Sequence, residues 1–396
     1  MPNTAADIVD QAPPTADLID QEQSPASGID RAQLAADIYS IQKELAAETS
    51  PEADLRHFKK MQWWGRICTF LGYATAWIIP NPISALLIST GIFTRWSMVT
   101  HPISHGGYDQ IPDVPKRYTS KGFASGWRRF IDWADWIHPD AWHQEHNRLH
   151  HYNLGEVTDP DQIEFNMEWL RESKWPMWSR YLFIAIFACI WKLAYYAPKA
   201  LLELRLARAK QEGRTALNNF ADWKAWSIFT AHGREFWLQY FLPYGIFRFA
   251  LIPALFLPLG REAALFVLIN SVIAEILTNL HGFLVIVPNH TGDDIPKFNQ
   301  RISDKGEFFL RQITGSVNYR TGTDRIDFLH GWLNYQIEHH IWPKLPLSQY
   351  QLAQPKVHAL CKKHGIPYIQ ESVFRRLKKA VDVMVGRTSM LQGSPV

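Results

Sequence analysis

The sequence predicts an all-α integral membrane protein: four transmembrane helices paired in two hairpins, with a helical cap on the cytoplasmic side that carries clustered histidines. Three observations predict it. Four apolar stretches fall into two pairs, each pair joined by a short break. The 396 residues carry 17 Trp, 22 Phe and 14 Tyr, an aromatic load suited to a chain that sits where apolar and wet environments meet. Most of the 16 His fall in a few clusters beside the apolar stretches.

Taken in order, residues 1–55 read as a disordered acidic tail followed by a short helix. The opening "MPNTAADIVDQAPPTADLIDQEQSPASGID" is rich in Ala, Pro, Asp and Gln, has only acidic charges, and has neither the basic start nor the apolar centre of a secretory signal. Arg31 to about Glu48 has the pattern of an amphipathic helix. The main domain is expected over 60–370, with a C-terminal tail at 371–396. Its first apolar stretch, Ile67–Thr94, is uncharged, and Pro80-Asn81-Pro82 in its middle turns it into a tight helical hairpin. The second pair is Phe236–Leu259 and Ala263–Pro288, broken by "GRE". Trp178–Pro198 is also apolar but contains Lys192.

Parity decides that last segment. Histidine clusters near 101–105, 143–151 and 336–340 can act together only if they share one side of the membrane, which requires an even number of crossings between them. The 236–288 hairpin supplies two, so 178–198 is assigned to the interface as an amphipathic helix. Lys and Arg then concentrate on the histidine side, which the positive-inside rule labels cytoplasmic, with both termini there. Arg248 and Glu275 reach comparable depth in the second hairpin and are expected either to pair across it, or to separate, with Arg248 snorkelling and Glu275 facing the site.

A net charge of +3, small and dispersed, gives no basis for nucleic-acid binding. Cys68, Cys189 and Cys361 are far apart and suggest neither a disulfide framework nor a structural zinc site.

The histidines carry the chemistry. "HPISH" sets His101 and His105 four apart, on one face of a helix. "WHQEHNRLHHYNLGEVTDPD" places His143, His146 and His150 on one stripe, with His151 beside them. "VPNH" adds His290 at the end of the last span, and "QIEHH" adds His339 and His340. Imidazole suits iron, copper, zinc and nickel. A single ion rarely takes more than four or five such ligands, so seven or eight histidines imply two ions. Two metals near an apolar bundle suggest oxygen chemistry on a greasy substrate. Glu145, Asp159, Asp161 and Glu338 are cast as partners that orient imidazole N–H groups.

"HPISH", "HNRLHH" and "QIEHH" together resemble the three histidine boxes of the membrane-bound fatty acid desaturases, over about residues 60–370, with "LNYQIEHHIWP" and "CKKHGIPY" adding to the likeness. A Gln opening the third box is similar to front-end and bacterial acyl desaturases. The resemblance implies a di-iron centre held by His101, His105, His146, His150, His151, His290, Gln336, His339 and His340, with His143 as a possible extra, and O2 as co-substrate. It also implies a fatty acyl substrate. With no His-Pro-Gly-Gly haem motif in the first sixty residues, electrons are expected from a separate ferredoxin or cytochrome b-type donor. Pro102 departs from the Asp that often follows the first histidine, and Pro disfavours a smooth helix through the box.

An unactivated methylene is beyond any acid, base or nucleophile at neutral pH, so reductively activated O2 in a dry pocket is required. Acyl desaturation is the first reading. A hydroxylase, acetylenase or epoxidase would share the metal centre, and a membrane haem electron carrier is the rival from another class. Chain length, bond position and acyl carrier are not encoded in these patterns.

Overall fold

The computed structural model describes residues 28–215 and 223–393. The predicted acidic tail, up to residue 27, lies outside them, and the predicted short helix is Arg31–Glu48, capped by the Asp30 side chain. Apart from two two-residue strands, Pro296–Lys297 and Leu391–Gln392, which pair in parallel, the regular elements are helical.

The first hairpin begins where Ser50 caps Pro51–Ala76, with Glu52 and Asp54 in the first turn against the helix dipole. The chain returns as Pro82–Thr94, capped by Asn81, whose side chain accepts from the Ser84 N–H at 2.8 Å. The two arms pack closely because their contact is built from small residues. A Cβ added at Gly91 would lie 1.9 Å from Thr69 Oγ1, and one at Gly72 would lie 2.7 Å from the Ile88 side chain. Asn270 of the second hairpin closes the turn: its Oδ1 accepts from Asn81 N–H at 2.9 Å and its Nδ2 donates to Ala76 O at 2.8 Å. Backbone groups freed by Pro80 and Pro82 would otherwise lack partners in an apolar setting.

Among the described residues two helices, Ala231–Leu259 and Arg261–His290, are long and apolar enough to cross a membrane. Gly260, at φ 117°, makes the left-handed break between them. The segment expected to lie on the surface forms Met177–Ala188 and then Lys192–Gln211, bent by 86°, and counts as a third candidate only if the bent pair is one span. Lys192 is not on a wet face. It is fully buried, with Nζ 2.5 Å from Asp135 Oδ2 and 4.7 Å above the Trp96 ring.

The expected pairing of Arg248 with Glu275 is corrected. Glu275 accepts from Trp136 Nε1 at 2.7 Å and from Tyr244 OH at 2.8 Å, while Arg248 donates to the Tyr73 hydroxyl. The carboxylate is thus satisfied by two neutral aromatic donors, one of them Tyr244, one turn before Arg248.

The cap is built from Lys305–Thr314, Gln336–Ile341, Leu347–His364 and Arg31–Glu48, which bury Leu34, Ile38, Ile313, Ile337 and Val357 together. Part of the segment read as a C-terminal tail is structural: Val373–Met384 is a helix that buries Val383 and Met384 and holds Asp294 through Arg376 at 2.6 Å.

Candidate metal centre

The first box sits where the return arm of the first hairpin changes pitch. Arg95–Thr100 is a π-helical turn, and the His101 N–H bonds to Trp96 O, five residues back. One α turn, His101–Ser104, follows without a break, and Pro102 falls just after the widened turn, where the helix pitch has already changed. The departure at Pro102 is thus accommodated: His101 and His105 are both buried, with ring centroids 5.0 Å apart.

The second box also lies in a widened turn, His143–Leu149, followed by a 3-10 turn at His150–Tyr152. His146 stacks on Trp142 with ring centroids 4.3 Å apart, and its Nε2 lies 3.3 Å from both His101 Nε2 and His151 Nε2. The third box forms the short helix Gln336–Ile341. Asn318 clips it in place by accepting from the Ile337 N–H at 2.9 Å and donating to Glu338 at 2.7 Å.

These elements bring the histidines into two groups. His101, His105, His146 and His339 offer nitrogen atoms within 4.8 Å of one another, as do His150, His290 and His340. His151 lies between the groups, its ring centroid 4.6 Å from that of His105 and 4.3 Å from that of His340. Gln336 is buried and lines the same cleft as His290. His143 stands apart: it is exposed, with Nδ1 3.0 Å from Asn147 Nδ2.

The donor set fits metal on its own geometry. Four imidazoles are held by Nδ1: His150 to Asp159 at 2.9 Å, His339 to Tyr350 OH at 3.1 Å, His340 to Gln312 Oε1 at 2.9 Å and His290 to Gly315 O at 3.0 Å. The Nε2 atoms of His105, His339 and His340 are buried without a hydrogen-bond partner. Burial, reinforced by neighbouring imidazoles, holds His151, His339 and His340 well below the ordinary imidazole value, so their lone pairs are free at neutral pH. For His150, burial works in the same direction but is outweighed by Asp159 and Asp161, which raise it. Orphaned, neutral, inward-facing nitrogens are what a metal requires.

The acidic residues divide. Asp159 binds His150, and Asp161 lies 3.8 Å from the same Nδ1 and joins His146 and His150 in a further group of donors. Glu145 is fully buried, and burial together with the nearby Asp161 carboxylate raises it well above the usual carboxylate range. Glu338 touches no imidazole. It accepts from Asn318 and, at 2.8 Å, from Tyr368 OH, and burial raises it to about 7 against those two hydrogen bonds.

Comparison with known proteins decides what kind of molecule presents this centre. The fatty acid desaturase family model matches residues 75–372. The chain belongs to the fatty acid desaturase family. It is similar to the NADPH-dependent stearoyl-CoA 9-desaturase of Mycobacterium tuberculosis, 25% identical over 347 residues, which cover 84% of this chain and 70% of the relative. Shorter stretches match the Delta(8)-fatty-acid desaturase of Euglena gracilis, 34% identical over 24% of this chain and 22% of the relative. Another matches the acyl-lipid (9-3)-desaturase of Borago officinalis, 49% identical over 11% of this chain and 10% of the relative. The protein is therefore an oxidoreductase of the desaturase kind.

Beside the histidines the desaturase has a cleft with a predominantly apolar lining that includes Trp96, Trp191, Phe187, Phe283 and Met384, and that His101, His146, His150, His290 and His339 also line. Reasoning from sequence missed Gln312, Tyr350 and Gly315, the groups that hold three of the imidazoles. They come from helices and turns whose own spacing carries no metal signal. The likeness over "CKKHGIPY" did mark the segment of Tyr368 without giving its role.

Proposed function

We propose that the two histidine groups hold two iron ions, that His151 and Gln336 complete the donor set, and that the enzyme removes two hydrogens from neighbouring carbons of a fatty acyl chain lying in the apolar cleft. Electrons come from a separate ferredoxin or cytochrome b-type donor, and O2 is the co-substrate. The single observation that carries this reading is the clustering of buried imidazole nitrogens without hydrogen-bond partners, on His105, His339 and His340, with His339 also lining the adjacent cleft of Trp, Phe and Met side chains. When bound, iron supplies the reductive activation of O2 that an unactivated methylene demands.

The protein's own residues do the rest. Trp96, Trp191, Phe187 and Phe283 exclude water and offer flat apolar walls to a chain without polar handles. Asp159, Gln312, Tyr350 and the Gly315 carbonyl fix the imidazole tautomers, so that each Nε2 lone pair faces the centre. Because the mycobacterial relative is named for stearoyl-CoA, a long-chain acyl thioester is the first substrate to assay.

The same reading places four spans in two hairpins, with the histidines and both termini on the cytoplasmic side. Exposed Ile67, Phe70, Leu71, Ile79, Ile83 and Leu86 give the first hairpin a lipid-facing surface, which supports counting its arms as spans. Two tests apply. Expression with a suitable donor in a host whose fatty acids are profiled by mass spectrometry should yield a new unsaturated species, and an unchanged profile with metal-loaded protein and a functional donor refutes the activity. Reporter fusions after residues 120 and 210 should report the same side, and opposite sides refute the topology.

A further inference from the structure

The connection between the first two boxes carries a charged surface that the metal chemistry does not use. From Val114 to Ile131 the sequence has five cations, Lys116, Arg117, Lys121, Arg128 and Arg129, and no acidic residue. The loop is held in shape. Asp109 accepts from Ser120 N–H at 2.7 Å and Ser120 Oγ at 2.5 Å, and Asp132 takes both Arg128 nitrogens at 2.9 Å and the Ala124 N–H at 3.2 Å. Sharp turns at Ala124, φ 51°, and Gly126, φ 58°, push the next residues outward. Trp127, Phe130 and Ile131 are 69%, 52% and 55% exposed. A groove opens beside them, lined by Lys116, Arg117, Ser125, Trp127 and Arg128.

Of the acids that flank this stretch, Asp109 is engaged with Ser120 and Asp132 with Arg128, and the exposed Asp113 forms no ion pair with the cations of the groove. Among the described residues no carboxylate lies within ion-pair distance of Lys116, Arg117 or Lys121, and all three are exposed. An anion would therefore meet an excess of positive charge.

The loop also lies at a definite depth. Arg129 donates to Gln239 O, and Arg95, near the end of the first hairpin, donates to Ile131 O at 2.9 Å. Gln239 comes 21 residues before the Gly260 turn, about 30 Å along a helix and thus one hydrocarbon thickness from the far side. On the four-span reading proposed above, the loop is fastened where headgroups begin.

We propose that this groove binds the phosphodiester headgroup of an anionic membrane lipid, with Trp127, Phe130 and Ile131 entering the boundary between headgroups and acyl chains. The inference rests on the membrane reading above but not on the reaction. Lysine and arginine at the cytoplasmic surface attract anionic lipid, and Trp favours that boundary. An acidic protein partner would account for the cations but would leave three large apolar side chains exposed at headgroup depth, so the lipid is favoured.

The test uses the full chain in a mild non-ionic detergent, mixed with micelles containing phosphatidylglycerol and phosphatidylcholine. Lipid retained per chain after gel filtration is counted by mass spectrometry. Phosphatidylglycerol should be retained selectively and released by salt, and Lys116→Gln/Arg117→Gln/Lys121→Gln should weaken retention by roughly tenfold or more. Trp127→Ala should weaken it less. Metal content and lipid-free thermal stability should match the wild type in both variants. Glycerol phosphate at equal phosphate concentration should not displace the lipid. Equal retention by the triple variant, equal retention of phosphatidylcholine, or full displacement by glycerol phosphate overturns the proposal. So does a triple variant that keeps wild-type lipid retention but loses donor-driven turnover, which marks a protein partner instead. Failure of the desaturation assay leaves lipid retention unchanged, so the two readings fail separately.

Discussion

The two histidine groups are alike in composition but not in support. Every imidazole of the second group is held from behind: His150 by the Asp159 carboxylate, His340 by Gln312 and His290 by the Gly315 carbonyl. In the first group His339 has Tyr350, whereas His101, His105 and His146 are positioned by widened helical turns and by packing on Trp142. The contrast teaches that one fold positions donors in two ways. Hydrogen bonds fix tautomer and angle residue by residue, while helix pitch fixes a pair of rings collectively. A carboxylate behind only one group also makes its imidazole the better electron donor. The second group should therefore hold metal more tightly.

The largest effects come from removing ligands. His340→Ala in the second group and His105→Ala in the first should each abolish turnover and lower iron from about two per chain toward about one, measured by metal analysis of anaerobically purified protein. Full activity in His340→Ala would sink the metal reading.

Next is the contrast itself. Asp159→Asn should lower metal affinity by about 10–100-fold. The loss should fall on one equivalent, seen as a single weakened step in a chelator titration. Weakening of both steps alike would show that the groups are not independent. Tyr350→Phe removes a neutral hydrogen bond from His339 and should cost less, about tenfold at most, and on the other equivalent.

These distinctions mark the limit of what the sequence could tell. The boxes were legible because the histidines of one box are close in sequence: His101 and His105, or His146, His150 and His151, share a turn or two of helix. The second hairpin was legible because its helices are long and apolar. The supports were not legible. Gln312 reaches His340 from the Lys305–Thr314 helix, and Tyr350 reaches His339 from Leu347–His364, contacts that exist only once the cap has packed. The partners of charged residues in apolar stretches were hidden for the same reason: Lys192 finds Asp135 and Glu275 finds Trp136 and Tyr244, partners distant in sequence.

The smallest effect is expected at Glu338, although it adjoins His339 and His340 in sequence. On a short helix, adjacent side chains point in different directions, and this carboxylate turns away from the metal groups toward Asn318 and Tyr368. Both are donors, and Asn318 also takes the Ile337 N–H, so Glu338 anchors the start of the third box rather than any imidazole. Glu338→Gln keeps the shape and one good acceptor but places an amide N–H₂ against a donor, losing about 1–3 kcal/mol of stability. Metal content should be unchanged and turnover should fall only about twofold to threefold, because the cost is spread over the packing of one short helix. Thermal unfolding and iron analysis on the same preparation check both expectations. If Glu338→Gln lost an equivalent of iron as Asp159→Asn does, the carboxylate would belong behind a ligand after all, and the distinction between residues that hold imidazoles and residues that hold the backbone would collapse at the third box.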